Sequence, residues 1–222
     1  SGSIHEVLLL SQTSKDLKKW LCIAKKTRKL KKGDTLTFTS QLRAILTENP
    51  GEGKIILEFN QPLTQEALQT IGEVPLPPYI KNKRAYQKED EIYYQTIFAK
   101  EGGAKAAPTA GLHFSDDLLV KLKNKGIEIA FIRLFVSLAT FEPIKTTYIE
   151  DHPMHQESFY IEEEEAKKIN QALKENRRII AVGTTVVRAL ESAFNHDKIL
   201  FGYQTTKLFI TPGYSFKVVK GL

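Results

Sequence analysis

Arg178-Ile179-Ile180-Ala181-Val182-Gly183-Thr184-Thr185-Val186-Val187-Arg188-Ala189-Leu190-Glu191-Ser192 decides the fold of the larger part of this chain. It reads as strand, tight turn and helix. Ile179, Ile180 and Val182 make a short apolar run of the kind found in strands buried on both faces, and Gly183 ends it. Thr184 or Thr185 is then a candidate N-cap. The N–H groups left free at such a helix start, with the threonine hydroxyls, suit a carboxylate or a phosphate, and Arg188 one turn on adds charge. Glu191 stands three residues beyond Arg188, placed to form an ordinary helical ion pair with it. A Walker loop needs more glycine and a Gly-Lys-Ser/Thr ending, and a Rossmann fingerprint is missing as well.

Upstream, helices and strands alternate. The patterning predicts a helix from about Ser115 to Lys125 and a strand from Ile127 to Val136 that is largely covered on both sides. It also predicts a helix from about Glu163 to Glu175, whose start carries the acidic run Glu162 to Glu165 that a helix's positive end favours. This is an α/β arrangement. Ala106-Ala107-Pro108-Thr109-Ala110-Gly111-Leu112-His113-Phe114 precedes the first of these helices. Pro108 fixes one dihedral, Gly111 permits a positive φ or a close approach to the main chain, and His113 brings the side-chain type suited to proton transfer. Ser115 is placed to cap the helix, with Asp116 and Asp117 in its first turn. Such a loop builds a site, or else His113 merely packs there.

From Ile4 to Asn60 the pattern changes to short strands, at Val7 to Leu10, Trp20 to Ala24, Thr35 to Thr39, Leu42 to Leu46 and Lys54 to Phe59. Lys32-Gly33-Asp34 and Asn49-Pro50-Gly51-Glu52-Gly53 supply turns, and the meander is of a kind that can close as a small antiparallel barrel, with Trp20 packed inside. Thr64 to Ile71 reads as a short helix capped by Thr64. Pro75, Pro77 and Pro78 suit neither a helix interior nor a central strand, so they mark a crossing between domains. The expected division is 1–72 for the small β domain and 73–222 for an α/β domain.

The 222 residues hold 41% hydrophobic side chains, enough for a core, and one cysteine, Cys22, which excludes an internal disulfide. No apolar run is long enough to span a bilayer and no secretory signal is present, so a cytoplasmic location is expected. Against 26 Asp and Glu stand 32 Lys and Arg, a net charge of +6 that suits a polyanionic partner. Lys25, Lys26, Arg28, Lys29, Lys31 and Lys32 crowd one early stretch. They read either as a surface for nucleic-acid phosphates or as a solvated hairpin. Glu150, Asp151, His152 and His155 have a superficial likeness to metal ligands, but a lone His-x-x-His is a weak signal and no metal is expected.

The two long motifs occur with Pro75-Leu76-Pro77-Pro78-Tyr79-Ile80, Tyr94-Gln95-Thr96, Glu150-Asp151-His152-Pro153-Met154-His155 and Pro212-Gly213-Tyr214-Ser215-Phe216-Lys217-Val218-Val219 in one order. In this the chain resembles the S-adenosylmethionine:tRNA ribosyltransferase-isomerase family of queuosine biosynthesis, from about Glu6 to Leu222. The resemblance implies a small β-barrel-like domain followed by a larger α/β barrel-like catalytic domain. It also places the start after a family segment ending in Asn-Asp-Thr-Arg and the end before an Asn-Phe-His segment, so both ends are expected to be cut. Leu134-Phe135-Val136-Ser137-Leu138-Ala139-Thr140-Phe141 stands where the family reads Leu-His-Val-Gly-x-Gly-Thr-Phe. Phe135 removes a proton carrier, and Ser137 and Ala139 add β-carbons. Low turnover is therefore expected.

The implied reaction moves the ribosyl part of S-adenosylmethionine onto the aminomethyl group of a 7-deazaguanine at the tRNA wobble position, releasing adenine and methionine. The alternative is a tRNA-binding relative without catalysis. Such chemistry needs a positioned base and a proton donor for the leaving adenine. His113, Arg188 and Glu191 are the candidate catalytic residues. Pro78, Tyr79, Ala107, Pro108, Thr109, Ala110, Gly111, His155, Glu157, Gly183, Thr184 and Thr185 are the candidate substrate-binding residues. Lys25, Lys26, Arg28, Lys29, Lys31 and Lys32 are the candidate tRNA contacts. S-adenosylmethionine is the expected co-substrate, and the protein is expected to be a monomer.

Overall fold

The computed structural model describes residues 4–100, 106–136, 146–152 and 154–222. Two compact units divide the chain, Ser1–Pro75 and Leu76–Leu222.

In the first unit β1 (Val7–Gln12), β2 (Lys19–Ala24), β3 (Thr35–Thr37), β4 (Arg43–Gly51) and β5 (Lys54–Phe59) form one antiparallel sheet in the order β1-β2-β5-β4-β3. Alternation along the strands explains its single core face. Ala44 and Leu46 on β4 and Ile55, Leu57 and Phe59 on β5 are buried, because successive side chains of a strand point to opposite sides. Leu42, Leu63 and Cys22 complete this core. Each fully buried Leu or Ile there contributes about 1.5–3 kcal/mol. Burial also pushes the Cys22 thiol up to about 12, so it stays protonated and unreactive. The expected barrel does not close among the described residues. The sheet is open, with β1 and β3 as its edges, and a three-residue β3 is too short to carry the ladder round to β1. After β5, α1 (Gln65–Ile71) starts where Thr64 Oγ1 accepts the Ala67 amide at 3.3 Å, and Leu68 packs on the sheet core.

The second unit contains α2 (Pro78–Lys81), α3 (Asp90–Tyr93), α4 (Asp116–Asn124), β6 (Arg133–Phe135), β7 (Glu157–Ile161), α5 (Glu163–Lys174), α6 (Thr184–Ala193), β8 (Phe194–Asn195), β9 (Lys198–Ile199) and β10 (Gly202–Thr206). β10, β7 and β6 make an antiparallel sheet in that order, and β8 and β9 pair as a hairpin. Phe159 and Ile161 of β7, Ala166 and Ile169 of α5, and Val187 and Leu190 of α6 share one core with Ile199 and Val218. The fold is mixed α/β with antiparallel sheets, and the described residues show no barrel in this unit either. Ser115 caps α4, its Oγ accepting the Leu118 amide at 3.2 Å. No helix among the described residues is long and apolar enough to cross a membrane.

Two strand expectations change. Of Ile127 to Val136 only Arg133–Phe135 joins a ladder. Ile132 and Leu134 pack inward while Arg133 and Phe135 lie exposed, so the segment is covered on one face and alternates. The Phe135 ring lies 6.0 Å from that of Tyr203, whereas Ser137 and Ala139 fall outside the described residues. Ile179 to Val182 makes a single parallel bridge, Ile180 to Gly221, flanked by Ala181 N donating to Gly221 O at 2.9 Å and Lys220 N to Ile179 O at 2.8 Å. Ala181 is buried but Ile180 is 52% exposed, so the run is not enclosed on both faces.

Ahead of α3, Arg84 grips the buried Asp90 with both terminal nitrogens, Nη1 to Oδ2 at 2.8 Å and Nη2 to Oδ1 at 2.5 Å. Hydrogen bonds from Arg84 and then from the Gln87 amide lower the carboxyl to about 2 from its ordinary 3.8. A carboxyl depressed on folding stabilises the protein above its unfolded value and loses that contribution as pH falls through the folded one. Unfolding followed between pH 4 and 2 is therefore expected to show a loss of stability that Asp90→Asn removes. An identical acid limb in Asp90→Asn would show that this pair is not its source.

Candidate functional site

Gly183 turns the chain into α6 with φ +103° and ψ 146°, a conformation that side chains strain to adopt. It therefore takes the N-cap position itself. Thr184 and Thr185 are the first two helical residues, not caps, and no side chain caps the helix. Gly183 has no side chain to cap the first-turn amides of α6, and no side chain among the described residues is seen to do so, at the helix's positive end. Thr184 and Thr185 face a cavity of about 650 Å³.

Arg188 lines the same cavity, but its charge is engaged. Nη1 donates to Glu157 Oε2, Nε to Leu208 O at 2.8 Å and Nη2 to His155 O at 3.3 Å. Both side chains of this ion pair are nearly buried, at 11% and 6% exposure. The guanidinium thus ties α6 to β7 and to the segment after β10. The expected helical pair with Glu191 is not formed. Glu191 Oε1 instead accepts the amides of Val218 at 3.0 Å and Val219 at 2.9 Å, and Oε2 accepts that of Lys217 at 2.9 Å and the Tyr214 hydroxyl at 3.3 Å. α6 is buried along most of its length, so residues three apart meet different neighbours rather than each other. Burial first, and the Glu191 carboxylate beside it, push the Tyr214 hydroxyl up.

Ala106 to Phe114 folds around a 3-10 turn, Thr109–His113. Gly111 is buried, and a β-carbon there would stand 3.1 Å from Thr96 Cγ2 and 3.2 Å from the Phe98 ring. Ala110 Cβ lies 3.5 Å from the place a Gly183 β-carbon would take, so the two long motifs touch. The Tyr94 hydroxyl is buried beside the Ala107 main chain, and desolvation raises it to about 12.

Of the residues that the sequence singles out, the cavity gathers His155, Glu157, Thr184, Thr185 and Arg188. Pro78, Tyr79, Ala107 to Gly111, His113, Gly183 and Glu191 lie outside its lining, and His113 is exposed. His152, Phe209, Ile210, Phe216, Val219 and Lys220 are among the remaining wall residues, with the His152 and Phe209 rings 5.5 Å apart. Phe209, Ile210 and Lys220 carry no chemical signal in sequence, whereas His152, Phe216 and Val219 stand in the motifs that carry the family resemblance. No group of three or more His, Cys, Asp or Glu side chains is gathered as a metal site among the described residues.

In the first unit a groove of about 1860 Å³ is lined by Lys25, Lys26, Arg28 and Lys29 together with His5 and Phe38. The basic run bends through a left-handed Lys26, φ 60°, into a 3-10 turn, Thr27–Lys29. Asn49 Nδ2 clamps that turn, donating to Thr27 O at 3.1 Å and Leu30 O at 3.2 Å. Lys31 and Lys32 lie outside the lining.

These features define a two-unit mixed α/β protein with a ligand-sized cavity at a helix start in one unit and a basic groove in the other. The chain belongs to the queuosine biosynthesis protein family, whose model matches residues 1–222. It is 43% identical, over all 222 residues, to the S-adenosylmethionine:tRNA ribosyltransferase-isomerase of Thermosipho melanesiensis, and covers 64% of that protein. A crystal structure of S-adenosylmethionine tRNA ribosyltransferase from Thermotoga maritima aligns with 97% of this chain and 57% of its own, at 27% identity and a TM-score of 0.39. The chain thus spans less than two thirds of the length of these relatives.

Proposed function

We propose that the protein takes part in transferring the ribosyl moiety of S-adenosylmethionine to 7-aminomethyl-7-deazaguanine at the tRNA wobble position, giving epoxyqueuosine-tRNA with release of adenine and methionine. The observation that carries this reading is the cavity at the start of α6, where Thr184, Thr185, His155 and Glu157 converge in a chain matched throughout by the family model. The uncapped α6 amides take the methionyl carboxylate, as helix starts take anions generally. Phe209, Ile210 and Phe216 offer an apolar surface for the adenine. Arg188, already paired with Glu157, shapes the cavity rather than supplying a free charge. His113 is the proton carrier, brought toward the α6 start by the contact of Ala110 with Gly183. Pro78, Tyr79 and the Ala107 to Gly111 main chain contact the modified nucleoside.

The deciding experiment is product analysis with S-adenosylmethionine and precursor tRNA. Adenine release is expected only slowly, since Phe135 stands where the family carries a histidine. S-adenosylhomocysteine would indicate a methyltransferase, and tRNA binding without either product would indicate a relative that binds but does not catalyse.

The basic groove is the proposed tRNA-binding surface. Replacing Lys25, Lys26, Arg28 and Lys29 with glutamine is expected to weaken tRNA binding and flatten its salt dependence, by up to roughly one unit of slope for each phosphate no longer neutralised. Affinity for S-adenosylmethionine should not change. A salt slope equal to that of the wild type would identify these residues as merely solvated.

A further inference from the structure

We propose that Glu191 is a positioning residue of the cavity, holding the wall formed by residues 216–220 through its main chain without touching the ligand; this rests on the reading that the cavity binds S-adenosylmethionine. The Glu191 side chain is buried and its acceptor capacity is used up. Two oxygens offer about four lone-pair sites, and four donors occupy them: the amides of Lys217, Val218 and Val219 and the Tyr214 hydroxyl. Nothing remains for Arg188 or for a substrate cation.

Three successive amides directed at one carboxylate form the arrangement in which a backbone binds an anion, and here the protein supplies the anion itself. The consequence falls on the cavity. Phe216, Val219 and Lys220, which flank or belong to the held segment, line it, and the Tyr214 ring braces Phe216 edge-on at 5.1 Å. Glu191 stands on the same helix as Thr184 and Thr185, about two turns along. One helix therefore sets both the anion-binding end and the distance to the facing wall. Without the carboxylate residues 217–219 lose their hydrogen bonds to α6 and are held only by the core packing of Val218 and Val219 and the hydrogen bonds of Lys220 and Gly221, so the separation between Thr184 and Phe216 is less firmly set.

The test is Glu191→Gln in the whole chain, with Tyr214→Phe as a milder variant that removes a single donor and leaves the buried carboxylate in place. Glutamine has one acceptor oxygen and sets an NH2 group against the amides. Amide exchange at residues 217–219 is expected to accelerate while that of β7 does not. Calorimetry should show S-adenosylmethionine binding about tenfold more weakly, because a wall no longer preorganised must be ordered on binding. Where turnover is measured, KM should rise with little change in kcat, and Tyr214→Phe should move affinity in the same direction by less. Unchanged exchange at 217–219 overturns the proposal, as does faster exchange with unaltered affinity. A 100-fold fall in kcat with affinity intact also overturns it, because it would make Glu191 a catalytic residue. Wild-type protein that binds no S-adenosylmethionine overturns the proposed function and the ligand half of this inference, whereas accelerated exchange at 217–219 would still uphold the hold of Glu191 on the wall.

Discussion

Arg188→Ala is expected to lower folding stability by about 3–5 kcal/mol, the range found when one partner of a buried ion pair is removed. The destabilisation has several parts. The Glu157 carboxylate, 6% exposed, loses its guanidinium, and the carbonyls of Leu208 and His155 lose their donors. Burying an ionised group away from its opposite charge is far costlier than burying an apolar one. Arg188→Lys should recover only part of the stability, because an ammonium keeps the charge but cannot reproduce the planar fork that reaches Glu157, Leu208 and His155 together. Arg188→Met combined with Glu157→Gln should recover more, since it removes both charges at similar volume. Urea midpoints at constant slope measure all three variants. A destabilisation of less than about 1 kcal/mol in Arg188→Ala would mean that the pair is not what joins α6 to β7.

His113→Ala is expected to reduce kcat by about 10²–10⁴-fold, the usual contribution of a positioned proton carrier. S-adenosylmethionine affinity should stay close to that of the wild type, because His113 does not line the 650 Å³ cavity. The split between kcat and affinity distinguishes His113 from Glu191, whose replacement is expected to act on affinity. His113 is exposed and makes no hydrogen bond with the described residues, and catalytic hydrogen bonds commonly tighten only in the substrate complex. Single-turnover measurement with saturating co-substrate isolates the chemical step. Unaltered turnover in His113→Ala would leave this histidine as an ordinary loop residue.

Glu157, Arg188 and Glu191 show how function and packing can draw on the same residue types. Arg188 and Glu191 read in sequence as charged groups at a presumed anion site and Glu157 as a substrate-binding candidate, yet each is engaged by partners within the protein. The cavity also presents a ligand with the start of α6, the Thr184 and Thr185 side chains, His152, His155, Lys220 and apolar walls. The proposed anion site is therefore the helix start that opens on the cavity and not the nearest arginine.

Short-range signals in the sequence are sufficient for much of the secondary structure. Thr64 and Ser115 are legible as caps because a cap acts on an amide only three residues away. β5 is legible because Ile55, Leu57 and Phe59 alternate with the residues between them, and α5 because its acids stand at the start of an amphipathic run. The family is legible from two motifs, since their residue order is itself the signal. Tertiary structure alone decides that Arg188 pairs with Glu157, 31 positions away, and that Glu191 holds amides 26 to 28 positions away. It also decides that the first sheet stays open and that Ile180 makes one parallel bridge instead of a buried strand. A cap or an alternating strand is fixed by geometry within a few residues, whereas the partner of a buried charge depends on which distant segment the packed core brings against it.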